Sequence, residues 1–193
     1  IGFDGMAHNL ARLLQRLGID YLGVAHIKEG IELRKNGIEL PILVMSGVLP
    51  WEDPGKAVMF GMSLAVYDMQ QLKRILNAVP SFDKPLNIHV KVDTGMGRLG
   101  FNVEELPEVA RLLLSTKNVV CEGLMSHFAS SEIRDGYGQE QIRRFRQARD
   151  TLASAGIVPR ILHMANSGAV VQYPEAHFDM VRTGIHLYGS YSD

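Results

Sequence analysis

The chain has 193 residues, 46% hydrophobic and 21% charged, enough for one domain with a sizeable core. Its formal net charge of −1 gives no global attraction for nucleic acid or an anionic membrane, and no apolar run reaches the roughly 18 residues of a membrane span. One cysteine, Cys121, excludes an internal disulfide framework and weakly favours a reducing compartment, which points to the cytoplasm.

Residues 1–5 read as the tail of a loop entering a helix. The spacing of Leu10, Leu13, Leu14 and Leu17 predicts that helix over 6–17, closed by Gly18. A short buried strand follows at 21–25, then a helix over 29–35 that stops before Gly37. Residues 41–45 form a second strand, and 50–54 start a helix. A third strand spans 63–66, and Asp68 caps a helix running to about Val79. Strand 86–92, helix 103–116 and strand 119–126 come next. A long amphipathic helix over 139–155 stops at Gly156. Strands at 160–165 and 178–181 flank a short helix at 167–172. Neither Ile1 nor Asp193 has the look of a natural terminus, so the chain reads as an internal piece of a longer protein, and the lack of a signal peptide carries no message about targeting.

Seven strands separated by helices imply parallel pairing and right-handed crossovers. The candidates are a doubly wound sheet and a (β/α)8 barrel. No Gly-x-Gly-x-x-Gly follows the first strand, which weakens the dinucleotide-binding reading. Polar residues gather instead at the carboxyl ends of many strands: His26, Ser46, Lys91 with Arg98, His127, Asn166 with Ser167, and Arg182. That distribution is the habit of a barrel. One further strand before Ile1 would complete eight.

The stretch 88–101 carries the sharpest signal. Ile88, Val90 and Val92 alternate with His89, Lys91 and Asp93, and a glycine-rich turn holding Arg98 follows. An inward lysine must be neutral, paired or modified, because an isolated buried charge is too costly. Burial lowers its pKa and exposes an amine able to form a Schiff base or to capture carbon dioxide as a carbamate. The carbamate, an anion, would pair with Arg98. A plain salt bridge from Lys91 to Asp93 or a nearby Glu is the competing reading. His127, in Ser126-His127-Phe128-Ala129, could stack on a ring, shuttle a proton, or simply be a satisfied polar group. Ser167 opens a helix, and Gly184 follows the last strand. Loops in those two positions of a barrel often bind phosphate. Arg182 would point into the barrel mouth, as a salt-bridge partner or as a donor to a ligand.

Several motifs together resemble the barrel domain of the alanine racemases, which use pyridoxal phosphate. They are Leu22-Gly23-Val24-Ala25 with Glu29 and Leu33-Arg34, Pro41-Ile42-Leu43-Val44, the segment from Lys91 to Arg98, Ser126 to Ala129, Met164 to Ser167, Phe178 to Arg182, and Leu187-Tyr188-Gly189. The resemblance implies a carbamylated Lys91 holding Arg98, which would contact the cofactor's phenolic oxygen and the substrate carboxylate. It implies His127 packed on or beside the pyridine ring and hydrogen-bonded to Arg182. Arg182 would donate to the ring nitrogen. Ser167, Gly184 and Ile185 would supply backbone N–H groups to the phosphate, with Asn166 nearby. No metal is implied.

Residues 1–193 then read as part of a barrel domain whose first strand is missing. The family's cofactor-bearing lysine lies on that strand, and its opposing tyrosine base lies in a C-terminal β-domain reached from the partner subunit. Both would lie outside this chain, so the piece alone is expected to be inactive, although the full-length protein would be a homodimer acting on alanine. Thr183 stands where the family commonly has proline. A racemase of serine or of broad specificity, and a non-catalytic barrel that carries the cofactor, are the alternative readings.

Overall fold

The computed structural model describes residues 5–78, 80 and 83–190, with side chains from residue 8. Six strands lie side by side, all parallel and in chain order: β1 (Leu22–Val24), β2 (Ile42–Val44), β3 (Met62–Val66), β4 (Leu86–Lys91), β5 (Val119–Met125) and β6 (Ile161–His163). The helices are α1 (Gly5–Arg16), α2 (Ile27–Lys35), α3 (Gly55–Met59), α4 (Met69–Ala78), α5 (Leu106–Leu114), α6 (Gly136–Ser154) and α7 (Ser167–Gln172). A doubly wound sheet reverses its strand order at a switch point. This sheet never does, and the unbroken sequential order is that of a (β/α)8 barrel wall. The expected loop at 1–5 and the helix end at Val79 reach into residues outside those described.

The two faces of β4 show how the layers form. Ile88 and Val90 are fully buried and join a core that includes Leu72 and Ile75 of α4, Val109 of α5 and Phe145 of α6. His89 and Lys91 take the opposite face, as a strand's period of two requires. Leu43 of β2, Ala65 of β3 and Met125 of β5 form a separate small cluster with Tyr21 and Met45.

Element ends follow local chemistry. Asp68 Oδ1 accepts the Gln71 N–H at 2.7 Å and starts α4 as expected. The long helix α6 begins three residues earlier than its apolar pattern suggests, because Asp135 Oδ1 accepts the Gly138 N–H at 2.7 Å. The helix expected over 103–116 opens as one 3₁₀ turn, Val103–Glu105, before α5.

The seventh strand, expected at 178–181, does not form. Phe178 has φ of 47°, which breaks an extended run. The segment still docks beside β6. The Leu162 N–H donates to the Asp179 side chain at 2.8 Å, and the Asp179 and Arg182 N–H groups donate to Leu162 O and Ala165 O. Only one bridge, Asn166 with Arg182, has strand pairing.

The ladder between β4 and β5 is irregular. Ile88 faces Cys121 but His89 faces Gly123, so Glu122 is an extra residue in β5, a bulge. Gly123 leaves room for the His89 ring: a Cβ there would run into ring atoms Nδ1, Cγ and Cε1. His89 is fully buried and has nowhere to retreat. Gly123→Ala in the full-length protein should therefore cost about 1–3 kcal/mol through overpacking. A lowered urea midpoint is the expected result; an unchanged midpoint would contradict this account of the bulge.

Candidate active site

Lys91 ends β4 at 6% exposure. Burial, then the charges of Arg98 and Arg182, push its ammonium down to about 8, against a smaller upward pull from Asp93. The salt-bridge alternative fails on geometry. Asp93 turns its carboxylate into the following turn, accepting the N–H groups of Gly95, Met96 and Gly97 at 2.8, 2.8 and 2.9 Å. No Asp or Glu forms an ion pair with Lys91 among the described residues.

The turn that presents Arg98 is clamped from behind. Gly100 at φ 144° lets the returning chain pass against the backbone of Val92 and Asp93, where a Cβ would collide. Phe101 N–H donates to Lys91 O and Asp93 N–H to Phe101 O. From α6, Tyr137 donates to Gly95 O at 2.6 Å and Arg144 to Thr94 O at 3.3 Å. Gln141 joins this turn to the next strand end, donating to Thr94 Oγ1 and His127 O while accepting the Ala129 N–H. Arg98 itself is exposed.

His127 follows β5 and is partly buried. Desolvation, then the positive charges of Arg182, Arg98 and Lys91, hold its imidazole down to about 4, so it is neutral at neutral pH. Its Nδ1 lies 3.4 Å from Arg182 Nη2, a long contact.

Arg182 sits where the missing seventh strand would have ended. Its Nη2 donates to Ser126 O at 2.6 Å and Met164 O at 3.2 Å, and its Nη1 to His163 Nδ1 at 2.8 Å. Burial brings its guanidinium down to about 10, which leaves it fully charged at neutral pH. No protein acceptor engages its Nε–H among the described residues. Asn166 Oδ1 caps α7 through the Ala169 N–H at 3.1 Å. Ser167 Oγ accepts the Gly184 N–H at 3.0 Å and the His186 N–H at 3.5 Å, which ties the 184–186 loop to the start of α7. Ile185 opens an exposed 3₁₀ turn beside it.

A cavity of about 340 Å³ opens among these strand ends, lined by Ala25, Met45, Ser46, Lys91, Arg98, Leu99, Met125 and His127. Its lining contains two basic side chains and a histidine but no carboxylate. With Arg182 behind His127, such a donor set suits an anionic, aromatic ligand and fits pyridoxal phosphate. A larger hollow, between Pro107 of α5 and one side of α6, contains no strand-end residue.

The structure places Lys91, Arg98 and His127 on one cavity, with Arg182 adjacent, and sets Asn166, Ser167, Gly184 and Ile185 beside one another. Sequence reasoning missed the supports: Asp93 as turn builder, Gln141 as brace, and the buried group His163, His89 and Glu122. The one available signal was Gly123 opposite an inward histidine, a small residue placed where a ring needs space.

Comparison with known proteins agrees with this fold. The family model for the alanine racemase N-terminal domain matches residues 4–192. An alanine racemase of Caldanaerobacter subterraneus is 38% identical over 191 residues, covering 96% of this chain and 48% of that protein. One from Oceanobacillus iheyensis is 38% identical over 195 residues, covering 97% of this chain and 51% of that protein. The chain thus spans about half the length of the curated relatives it matches. Among solved structures, alanine racemase of Clostridium difficile in complex with cycloserine superposes with a TM-score of 0.90 at 36% identity, over 97% of this chain and 52% of that one. The enzyme from D-cycloserine-producing Streptomyces lavendulae gives 0.91 at 30% identity, over 97% and 50%. A family match over nearly the whole chain and close superposition with these solved structures agree, and the chain belongs to the alanine racemase N-terminal domain family.

Proposed function

We propose that the full-length protein carrying this chain interconverts L- and D-alanine with pyridoxal phosphate. The observation that carries this reading is the convergence of Lys91, Arg98 and His127 on one cavity lined by no acid, with Arg182 anchored behind it. In this reading residues 1–193 are part of the barrel domain. The cofactor-bearing lysine and the opposing tyrosine come from outside it, the tyrosine from a second subunit of a homodimer. The product D-alanine would serve peptidoglycan synthesis in the cytoplasm.

When bound, pyridoxal phosphate supplies an electron sink that makes the Cα proton of an amino acid removable. Arg182 Nε–H, which no protein acceptor engages among the described residues, is a donor available to the ring nitrogen, while Nη1 and Nη2 are anchored to His163, Ser126 O and Met164 O. A guanidinium does not readily surrender its proton, so the ring stays less electron-withdrawing than a pyridinium. That restraint would favour racemisation over transamination. His127, neutral, would lie beside the ring without adding charge. Arg98 would hold the phenolic oxygen and the substrate carboxylate. The 184–186 loop and the start of α7, tied through Ser167 Oγ, would hold the phosphate, with Asn166 fixing the helix start.

Lys91 supports Arg98 as a carbamate in this account. Its neutral amine attacks the carbon of carbon dioxide, one proton leaves to water, and the repulsion between the Lys91 ammonium and Arg98 is replaced by attraction between carbamate and guanidinium. The amine must first be neutral. Its low pKa means that fraction rises steeply through pH 8, well below the ordinary lysine range. Carbon-13 NMR of the full-length protein in labelled bicarbonate should show a carbamate signal that is absent from Lys91→Arg. No signal in either protein would remove the carbamate from the mechanism.

The function itself is tested by a D-alanine assay on the full-length protein. D-Alanine should form from L-alanine, and residues 1–193 alone should form none. Failure of the full-length protein to racemise alanine would reject the proposal, and activity from 1–193 alone would reject the assignment of both bases to regions outside it.

A further inference from the structure

Behind Arg182, buried side chains cross the barrel interior in single file. Arg182 Nη1 lies 2.8 Å from His163 Nδ1, His163 Nε2 lies 2.7 Å from His89 Nδ1, and His89 Nε2 lies 3.2 Å from Glu122 Oε2. Both histidines have zero exposure, and their rings meet edge to face at 4.9 Å between centroids. The bulge in β5 is what brings Glu122 onto His89, and Gly123 beside it provides the ring's space.

The two ends of this column fix its direction. Arg182 can only donate. Glu122 is surrounded by donors: besides His89, Tyr21 OH and Ser63 Oγ donate to Oε2 at 2.8 and 2.9 Å, and Arg160 donates to Oε1 at 2.8 Å. These bonds, that from His89 foremost, hold the carboxyl down to about 2, so it only accepts. Burial and the Arg182 charge keep His163 neutral. A single assignment gives every link one proton. His89 carries its proton on Nε2 and donates to Glu122. His163 carries its proton on Nε2 and donates to His89. His163 Nδ1 then presents a lone pair to Arg182. Moving the His89 proton to Nδ1 leaves two lone pairs facing each other at Glu122. It also turns His163 around, so that an Nδ1–H confronts the guanidinium.

We propose that Glu122 and His89 are positioning residues for Arg182, setting through His163 the acceptor that holds its guanidinium in place for the ring nitrogen. The inference rests on the racemase reading for the identity of that ring nitrogen, although the column stands without it. Glu122 is not part of the cavity lining and makes no hydrogen bond to Arg182, so its influence passes through the tautomers of two rings.

Histidine tautomers are read directly from long-range proton–nitrogen correlations in the nitrogen-15-labelled full-length protein, with and without pyridoxal phosphate. His89 and His163 should both be protonated at Nε2 in the native protein; an Nδ1–H on either would overturn the proposal without any variant being made. Glu122→Met removes the acceptor and should let His163 populate both tautomers. The share of turnovers ending in transamination should then rise about tenfold, the scale of one lost hydrogen bond. Glu122→Asp, which keeps a carboxylate, should restore the native tautomer and the native partition. A folded Glu122→Met protein with mixed tautomers and an unchanged partition would also overturn it. Lack of racemase activity in the native protein, with both Nε2 tautomers present, would instead reject the racemase reading and leave the column intact.

Discussion

A buried guanidinium is tolerated only when its donors find acceptors, and the mouth of this barrel is arranged around that requirement. Arg182 draws on Ser126 O at the end of β5, and on His163 and Met164 O at the end of β6. Two strand ends and the segment after α7 are thereby fixed relative to one another. The segment at 178–182 does not need to be a strand for this. One backbone bond from Arg182 N to Ala165 O, and the Asp179 side chain on Leu162 N, hold it in the seventh position.

The second organising feature is charge of one sign. Arg98 and Arg182 depress the proton affinity of Lys91, all three depress that of His127, and the cavity lining offers no carboxylate to offset them. Asp93, the nearest acid in sequence, is consumed by three N–H groups of its own turn. A protein that assembles such a site and withholds the counter-charge leaves it to be supplied by a ligand phosphate, a substrate carboxylate or a carbamate on Lys91. Each of these is an anion that the racemase reading provides.

Much of this was legible in the sequence, and the boundary has physical causes. Lys91 and His127 could be read because each breaks the apolar pattern of a strand end, and Arg98 because it sits in the glycine-rich turn that follows β4; all are visible one residue at a time. The parallel α/β architecture followed from period alone. What escaped depends on long-range geometry. The helical start at Gly136 rests on the Asp135 cap rather than on apolar spacing. The loss of the strand at 178–181 turns on one backbone angle, at Phe178. Glu122 was invisible because a bulge, not an alternation, brings it to His89. His163 takes its role from Arg182 on one ring nitrogen and His89 on the other. Neither partner is near it in sequence.

The central claim is that a charged, anchored Arg182 meets the cofactor's ring nitrogen and leaves that nitrogen unprotonated. The most direct measurement is the nitrogen-15 shift of ring-labelled pyridoxal phosphate bound to the full-length protein. The account predicts the shift of an unprotonated pyridine nitrogen accepting a hydrogen bond, moving when Arg182 is replaced by glutamine. A shift characteristic of a pyridinium, insensitive to Arg182→Gln, would contradict it.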